Sequence, residues 1–162
     1  MAQALALHPD PGWTATEHHS ASDQHATTLS TPATESSIGV HCILELYGCD
    51  VDRLNDEALI RETLTNAAKR AGATLLKLVT HPFEPQGVTG LALLAESHIS
   101  IHTWPETGYA AVDVFTCGDH TMPQRACCVL AEVLGASQRS LHTLQRRPPI
   151  NVSRTERQPL PC

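Results

Sequence analysis

A dense group of reactive side chains lies between residues 81 and 118 of this 162-residue chain. A carboxyl, two hydroxyls, two imidazoles and a thiol follow one another there: Glu96, Ser97, His98, Ser100, His102 and Cys117. Because alternate side chains of a strand share a face, the two histidines and Ser100 are predicted to lie together beside Ser97. These groups suit nucleophilic attack and proton transfer. They also suit a metal, but no fourth ligand accompanies His98, His102 and Cys117 at metal spacing.

The elements that must position these groups are predicted to form one block over residues 38–145. Alternating or continuous apolar residues indicate strands, over Ile38–Leu46, Thr74–Thr80, Val88–Ala95, Tyr109–Cys117 and Leu141–Leu144. Val88–Ala95 is almost wholly apolar, which is typical of a central strand covered on both faces. The reactive side chains are therefore expected to follow directly from the most buried strand.

Two helices are predicted between these strands. The first is capped by Asn55 and ends at Gly72, and the second covers Met122–Leu134, with one of Cys127 and Cys128 turned inward and the other outward. The element order is strand, helix, three strands, helix, strand. This order predicts an α+β two-layer sandwich, a mainly antiparallel sheet with helices on one face. A small sheet with an open face or edge favours a dimer.

Composition narrows the class of protein. A net charge of −6 argues against nucleic-acid binding, and no apolar run is long enough to cross a membrane. The six cysteines form no Cys-x-x-Cys pair, and no secretory signal precedes the block, so we expect a cytoplasmic protein with reduced thiols. Residues 1–37 are predicted to be a disordered extension and residues 146–162 a flexible tail.

Three ordered blocks in this chain resemble the small prokaryotic S-adenosylmethionine decarboxylases, which use a pyruvoyl group to make the aminopropyl donor for spermidine. The blocks are Phe83-x-Pro-Gln-Gly-Val, Glu96-Ser-His-x-Ser-Ile-His-Thr-Trp-Pro-Glu106 and Asp113-x-Phe-Thr-Cys-Gly118. The resemblance spans residues 38 to 145. It implies a carboxy-lyase made as a zymogen, with S-adenosylmethionine as its small-molecule substrate.

The resemblance implies a self-cleavage step at the Glu96–Ser97 bond. The Ser97 hydroxyl would attack the carbonyl of Glu96, and His102 would act as the proton acceptor in processing. Ser97 would then become a covalent pyruvoyl cofactor, which accepts the substrate amine as a Schiff base, and the products would be chains 1–96 and 97–162. Thr89 stands where the family usually has a processing serine. Its hydroxyl is retained, and its added methyl is expected to slow processing.

The remaining roles also come from the resemblance. Cys117 matches the proton donor of decarboxylation, Phe83 matches the ring that stacks on adenine, and Glu106 matches the acid that holds the ribose hydroxyls. The family's active sites lie between two protomers, so a homodimer is implied, with Phe83 serving the site opposite its own Ser97. The short chain resembles the metal-independent branch, so no metal is implied.

Other interpretations remain open from the residues alone. The same scaffold could decarboxylate arginine or ornithine, or the chain could be an unprocessed regulatory subunit. Phe83, between two prolines, could pack a loop, and Cys117 could be an ordinary buried thiol. The presence of Ser97, His102 and Cys117 together favours the enzyme, because an inactive subunit does not require all three.

Overall fold

The computed structural model describes residues 38–147, which form six strands and three α-helices. The strands are β1 (Gly39–Tyr47), β2 (Leu75–Pro82), β3 (Val88–Leu94), β4 (Ser97–Trp104), β5 (Tyr109–Cys117) and β6 (Gln138–Arg146). The helices are α1 (Val51–Asn55), α2 (Glu57–Arg70) and α3 (Pro123–Val133), and a 3-10 turn covers Pro105–Thr107. The predicted α+β class is confirmed.

All six strands join one antiparallel sheet in the order β2-β3-β4-β5-β1-β6. The strand that begins at Ser97 therefore lies inside the sheet, between β3 and β5. Its register places Ser97 opposite Thr116 of β5, and His102 opposite Thr89 of β3. The sheet thus fixes where each reactive side chain lies along its strand.

The helices cover one face of the sheet, with α2 over β2 and β3 and α3 over β1 and β5. The predicted apolar stripe of α2 is buried, at Ile60, Thr63, Leu64, Ala67 and Ala68. The predicted cap is wrong by one residue, because the Asp56 carboxylate accepts from the Leu59 N–H, while Asn55 ends α1. In α3, Cys127 is buried and Cys128 is exposed, so one of the two faces inward and the other outward, as expected.

The expectation that the Val88–Ala95 strand is covered on both faces is wrong. Leu91 and Leu93 are 45% and 47% exposed, while Ala92 is buried. The strand ends before β4 begins, since Ala95 and Glu96 form a turn between two paired strands. The sheet consequently has one strand more than the five that the sequence indicated.

The face of the sheet opposite the helices is open within residues 38–147. It carries polar pairs, since His41 Nε2 lies 3.0 Å from Asp113 Oδ1, and the Tyr109 hydroxyl donates to the Glu45 carboxylate. That hydrogen bond raises the pKa of Tyr109 to about 12, because it favours the protonated phenol. Every reactive residue of β4 with an even number, from His98 to His102, lies on this face.

The ends of the chain are only partly described. β6 reaches Arg146, so the strand is longer than predicted and includes the first residue of the predicted C-terminal tail. The predicted extension 1–37 and residues 148–162 of that tail lie outside the described residues. No described helix has both the length and the apolar character that a membrane crossing requires.

Candidate active site

The bond between Glu96 and Ser97 lies at the tight turn that joins β3 to β4. Ser97 has a φ of 151°, and no other non-glycine residue in 38–147 has a positive φ. Such a backbone conformation is costly for a residue with a side chain and is found where surrounding structure enforces it, often at functional sites. The turn therefore holds strain at the bond that the sequence singled out.

The carbonyl group of this bond accepts a hydrogen bond from the neighbouring strand. The backbone N–H of Cys117 donates to the Glu96 carbonyl oxygen at 2.9 Å. This contact follows from the register, because Ser97 lies opposite Thr116 and Cys117 is the next residue. A donor aimed at a carbonyl oxygen polarises the group and stabilises negative charge that develops there during nucleophilic attack.

The side chain of Glu96 is also anchored. Its carboxylate accepts from the Thr74 N–H at 2.8 Å and from the Thr74 hydroxyl at 3.2 Å, and His120 Nε2 lies 3.6 Å away. The Thr74 backbone donor is the main reason that the pKa of Glu96 is lowered, since it favours the charged form. No sequence motif pointed to Thr74 or His120, because both reach Glu96 only through folding.

The thiol of Cys117 lies beside a position that has no side chain. A methyl group on Gly39 of β1 would lie 2.9 Å from the Cys117 sulfur, 2.8 Å from Cε2 of Phe115 and 2.7 Å from the Thr116 carbonyl oxygen. The absence of a side chain at Gly39 thus provides the space that the Cys117 thiol and the Phe115 ring occupy. Gly39 opens β1, and nothing in its sequence context marked it.

Gly39→Ala is expected to lower stability by about 1–3 kcal/mol, because the added methyl meets a backbone oxygen that cannot move away freely. Urea unfolding would measure the loss. The loss should be smaller when Cys117→Ala is present, because one of the three contacts is then relieved. An unchanged unfolding midpoint in Gly39→Ala would contradict the tight packing.

A second group of predicted residues lies at the opposite end of the strands. Thr89 Oγ1 and His102 Nδ1 are 2.8 Å apart across the β3–β4 pair. They border a cavity of about 330 Å³. Its lining residues are Phe83, Gln86, Thr89, His102, Thr103, Trp104 and Glu106. The structure therefore brings four predicted site residues together here, and adds Gln86, which was visible in the Phe83 motif but not singled out.

Phe83 and Glu106 approach this cavity from two loops. The Phe83 ring is 51% exposed and meets only the edge of His81 among described rings, at 4.9 Å. Gln86 Nε2 donates to a Glu106 carboxylate oxygen at 3.3 Å. An exposed aromatic ring beside a carboxylate can stack on a flat, hydroxylated ligand. The alternative that Phe83 merely packs its own loop is not favoured by this exposure.

The two groups are far apart within one chain. His102 follows Ser97 by five residues along β4, a separation of about 16 Å at the usual rise of a strand. The expectation that both histidines lie beside Ser97 is therefore wrong for His102, although the shared face is confirmed. Within residues 38–147 no three His, Cys, Asp or Glu side chains are grouped as metal ligands would be.

Comparisons with known proteins agree with the geometry. Residues 40–147 match the family model described as S-adenosylmethionine decarboxylase. The chain is 68% identical over 123 residues, 76% of this chain and 96% of the other, to an S-adenosylmethionine decarboxylase proenzyme of Parasynechococcus marenigrum. A proenzyme of the same name from Methanococcus vannielii is 61% identical over 87 residues, 54% of this chain and 71% of the other.

A solved structure has the same fold. The crystal structure of the adenosylmethionine decarboxylase from Aquifex aeolicus aligns with a TM-score of 0.66 and 40% identity, covering 72% of this chain and 97% of that one. The alignment extends over nearly the whole of the solved chain, so the similarity is one of fold rather than of one motif.

Proposed function

This chain belongs to the S-adenosylmethionine decarboxylase family, and from that premise we propose that it cuts itself between Glu96 and Ser97 and then decarboxylates S-adenosylmethionine, supplying the aminopropyl donor for spermidine. The observation that carries the proposal is the turn at Ser97. A strained serine follows a carbonyl group that already accepts a hydrogen bond from Cys117 N–H. This is the arrangement that an attack on the preceding peptide bond requires.

Self-cleavage begins with the hydroxyl of Ser97. Its attack on the Glu96 carbonyl carbon places negative charge on the oxygen that Cys117 N–H holds at 2.9 Å. The bonds from Thr74 to the Glu96 carboxylate fix the acyl side of the bond while the hydroxyl approaches. Relief of backbone strain at Ser97 favours transfer of the Glu96 acyl group from the nitrogen to the oxygen of Ser97, because the peptide bond that holds the strained conformation is then broken.

We assign His102 to removal of the Cα proton of residue 97, the step that eliminates the upstream chain. Its own chain cannot bring it to Ser97, because the two lie about 16 Å apart along one strand. The hydrogen bond between Thr89 Oγ1 and His102 Nδ1, at 2.8 Å, holds the imidazole in a fixed orientation. The threonine hydroxyl thereby keeps the role that the family gives to a serine. His102 therefore has to act on a second copy of the chain.

We propose that two chains pair through the open faces of their sheets. A two-fold axis that runs between the sheets and across the strands would bring the Ser97 end of one protomer to the His102 end of the other. Exposed apolar side chains on that face support the pairing, since Val79, Leu91, Leu93 and Leu144 are each at least 45% exposed in one chain. Each complete site would then contain both groups of residues.

The residues at the turn fit a pyruvoyl group derived from Ser97. The serine begins a strand and its hydroxyl contacts the adjacent His98 rather than a residue of the core, so the side chain can change while β4 stays paired. A pyruvoyl carbonyl supplies the electron sink that decarboxylation of an amino acid needs and that no natural side chain offers. The Cys117 thiol lies partly exposed at the same end of the sheet, where it can deliver a proton.

We propose that Phe83 and Glu106 bind the nucleoside of the substrate. The exposed ring can stack on adenine and face the sulfonium, a contact worth about 0.5–2 kcal/mol. The Glu106 carboxylate, oriented by Gln86, can accept hydrogen bonds from two ribose hydroxyls. Both residues would serve the Ser97 of the partner, together with the His102 beside which they lie.

Intact mass measurement tests the cleavage. The purified protein should contain the chains 1–96 and 97–162, the second without a free amino group, whereas Ser97→Ala should give one uncut and inactive chain. The reason is that alanine has no hydroxyl with which to attack Glu96. A wild-type chain that stays whole, with an amino group retained at Ser97, would refute both the self-cleavage and the cofactor.

A further inference from the structure

We propose that His98 is the base that takes the hydroxyl proton of Ser97 when that hydroxyl attacks Glu96. The inference rests on the proposed self-cleavage and assigns its first step to a residue of the same chain. The two histidines of β4 thus have different roles: His98 removes the hydroxyl proton of Ser97, and His102 removes the Cα proton of residue 97.

The first observation is a contact that a regular strand would not make. Side chains of consecutive residues in a strand point to opposite faces. At Ser97 the φ of 151° interrupts this alternation, and Ser97 Oγ lies 3.2 Å from Nδ1 of His98. A nucleophilic hydroxyl within hydrogen-bond distance of an imidazole is the usual mark of an activated serine.

The second observation concerns what holds the imidazole. The His98 ring meets the edge of the Phe115 ring with centroids 6.0 Å apart and planes at 70°. Phe115 is itself fixed, because the Arg146 guanidinium lies 4.8 Å from its centroid and the His41 ring 5.5 Å from it. The Phe115 ring thus helps to hold the imidazole while its Nδ1 lies within hydrogen-bond distance of the Ser97 hydroxyl.

The third observation is the position of the other candidate base. His102 Nδ1 already contacts Thr89 Oγ1 at 2.8 Å and lies at the far end of β4. The role assigned to a partner's His102 is removal of the Cα proton of residue 97, which is a different proton from that of the hydroxyl. The Ser97 hydroxyl is already within reach of His98 in the same chain.

The step balances without an added reactant. The O–H bond of Ser97 breaks, its proton passes to Nδ1 of His98, and the oxygen bonds to the Glu96 carbonyl carbon. The carbonyl electron pair moves onto the oxygen that Cys117 N–H holds. When the pair returns, the C–N bond breaks and His98 gives its proton to the nitrogen of Ser97. The amide has become an ester with a free amine, and His98 is neutral again.

His98→Ala, His98→Asn and His102→Ala test the assignment, with hydroxylamine as the probe because it cleaves esters much faster than amides. Both His98 variants should remain uncut and resistant to hydroxylamine, with cleavage slowed about 10²–10⁴-fold, the usual contribution of a positioned base. His102→Ala should instead accumulate the ester, which hydroxylamine splits after Glu96. Added imidazole should partly restore cleavage in His98→Ala.

The asparagine variant separates a base from a mere hydrogen-bond partner, since its side chain can still contact the hydroxyl but cannot carry the proton. Cleavage of His98→Asn at the wild-type rate would overturn the proposal, and so would a hydroxylamine-sensitive ester in His98→Ala. Failure of the proposed function has a different signature, a wild-type chain that never cleaves. Thermal unfolding near the wild-type temperature would show that each variant is folded.

Discussion

Chains carrying Ser97→Ala and chains carrying His102→Ala are each expected to stay uncut alone, but to yield cleaved product when they are produced together. In a mixed dimer one site combines the Ser97 of the His102→Ala chain with the His102 of the Ser97→Ala chain. That site has both groups, whereas the other site has neither. The expectation follows from the separation of about 16 Å between these residues along β4.

Which of the two variant chains is cleaved shows whether Ser97 and His102 act from different chains. Only the His102→Ala chain should be cleaved, since only that chain carries Ser97, and roughly half of its copies should be cut if chains pair at random. A mass tag on one of the two chains makes the assignment direct. Mixing two Ser97→Ala chains with different tags is the matched control, because that pair has no nucleophile in any site.

Two results would contradict the shared site. If His102→Ala alone were cleaved at the wild-type rate, His102 would have no part in processing. If the mixed sample stayed uncut although the two tagged chains purified together, the residues would have to meet within one chain. The second result would require β4 to bend so that its two ends approach, which its continuous pairing with β3 and β5 opposes.

The sequence predicted what depends on local periodicity. The apolar stripe of α2 follows from a period of 3.6, and the burial of Ile99 and Ile101, on the face opposite His98, follows from a period of two. These features need only the chain itself. They were enough to indicate an α+β sandwich with the reactive side chains on one face.

Prediction from the sequence was wrong where the burial of a strand face depends on whether another element covers it. Leu91 and Leu93 are as apolar as residues of a buried strand, so composition gave no sign that their face is open. The same exposure supports the pairing of two sheets, which an isolated chain cannot display. Asp56 displaced Asn55 as the cap because Asn55 accepts from the Gly87 N–H instead, at 2.9 Å. That contact spans distant parts of the chain.

The active-site motifs predicted which residues act but not where they meet. Counting along β4 would already have separated Ser97 from His102, because a strand rises about 3.3 Å per residue. The anchoring of Glu96 by Thr74 and His120, in contrast, had no signal in the sequence. Neither residue is near Glu96 along the chain, and each has an ordinary polar side chain.

Cys117→Ala is expected to leave self-cleavage close to the wild-type rate while decarboxylation falls about 10²–10⁴-fold, the usual loss when a positioned acid is removed. The two roles proposed for this residue use different atoms. Its backbone N–H holds the Glu96 carbonyl oxygen at 2.9 Å and is unchanged by the substitution. Its thiol, which the alanine lacks, is the group assigned to deliver the proton after carbon dioxide leaves.

Intact mass would follow cleavage, and release of carbon dioxide from carboxyl-labelled S-adenosylmethionine would follow decarboxylation. Cys128→Ala is the matched control, because Cys128 is an exposed cysteine on α3, on the helix side of the sheet. It should leave both rates unchanged. A Cys117→Ala chain that cannot cleave would show that the thiol acts in both reactions, and the backbone N–H would then be insufficient to stabilise the charge on the Glu96 oxygen.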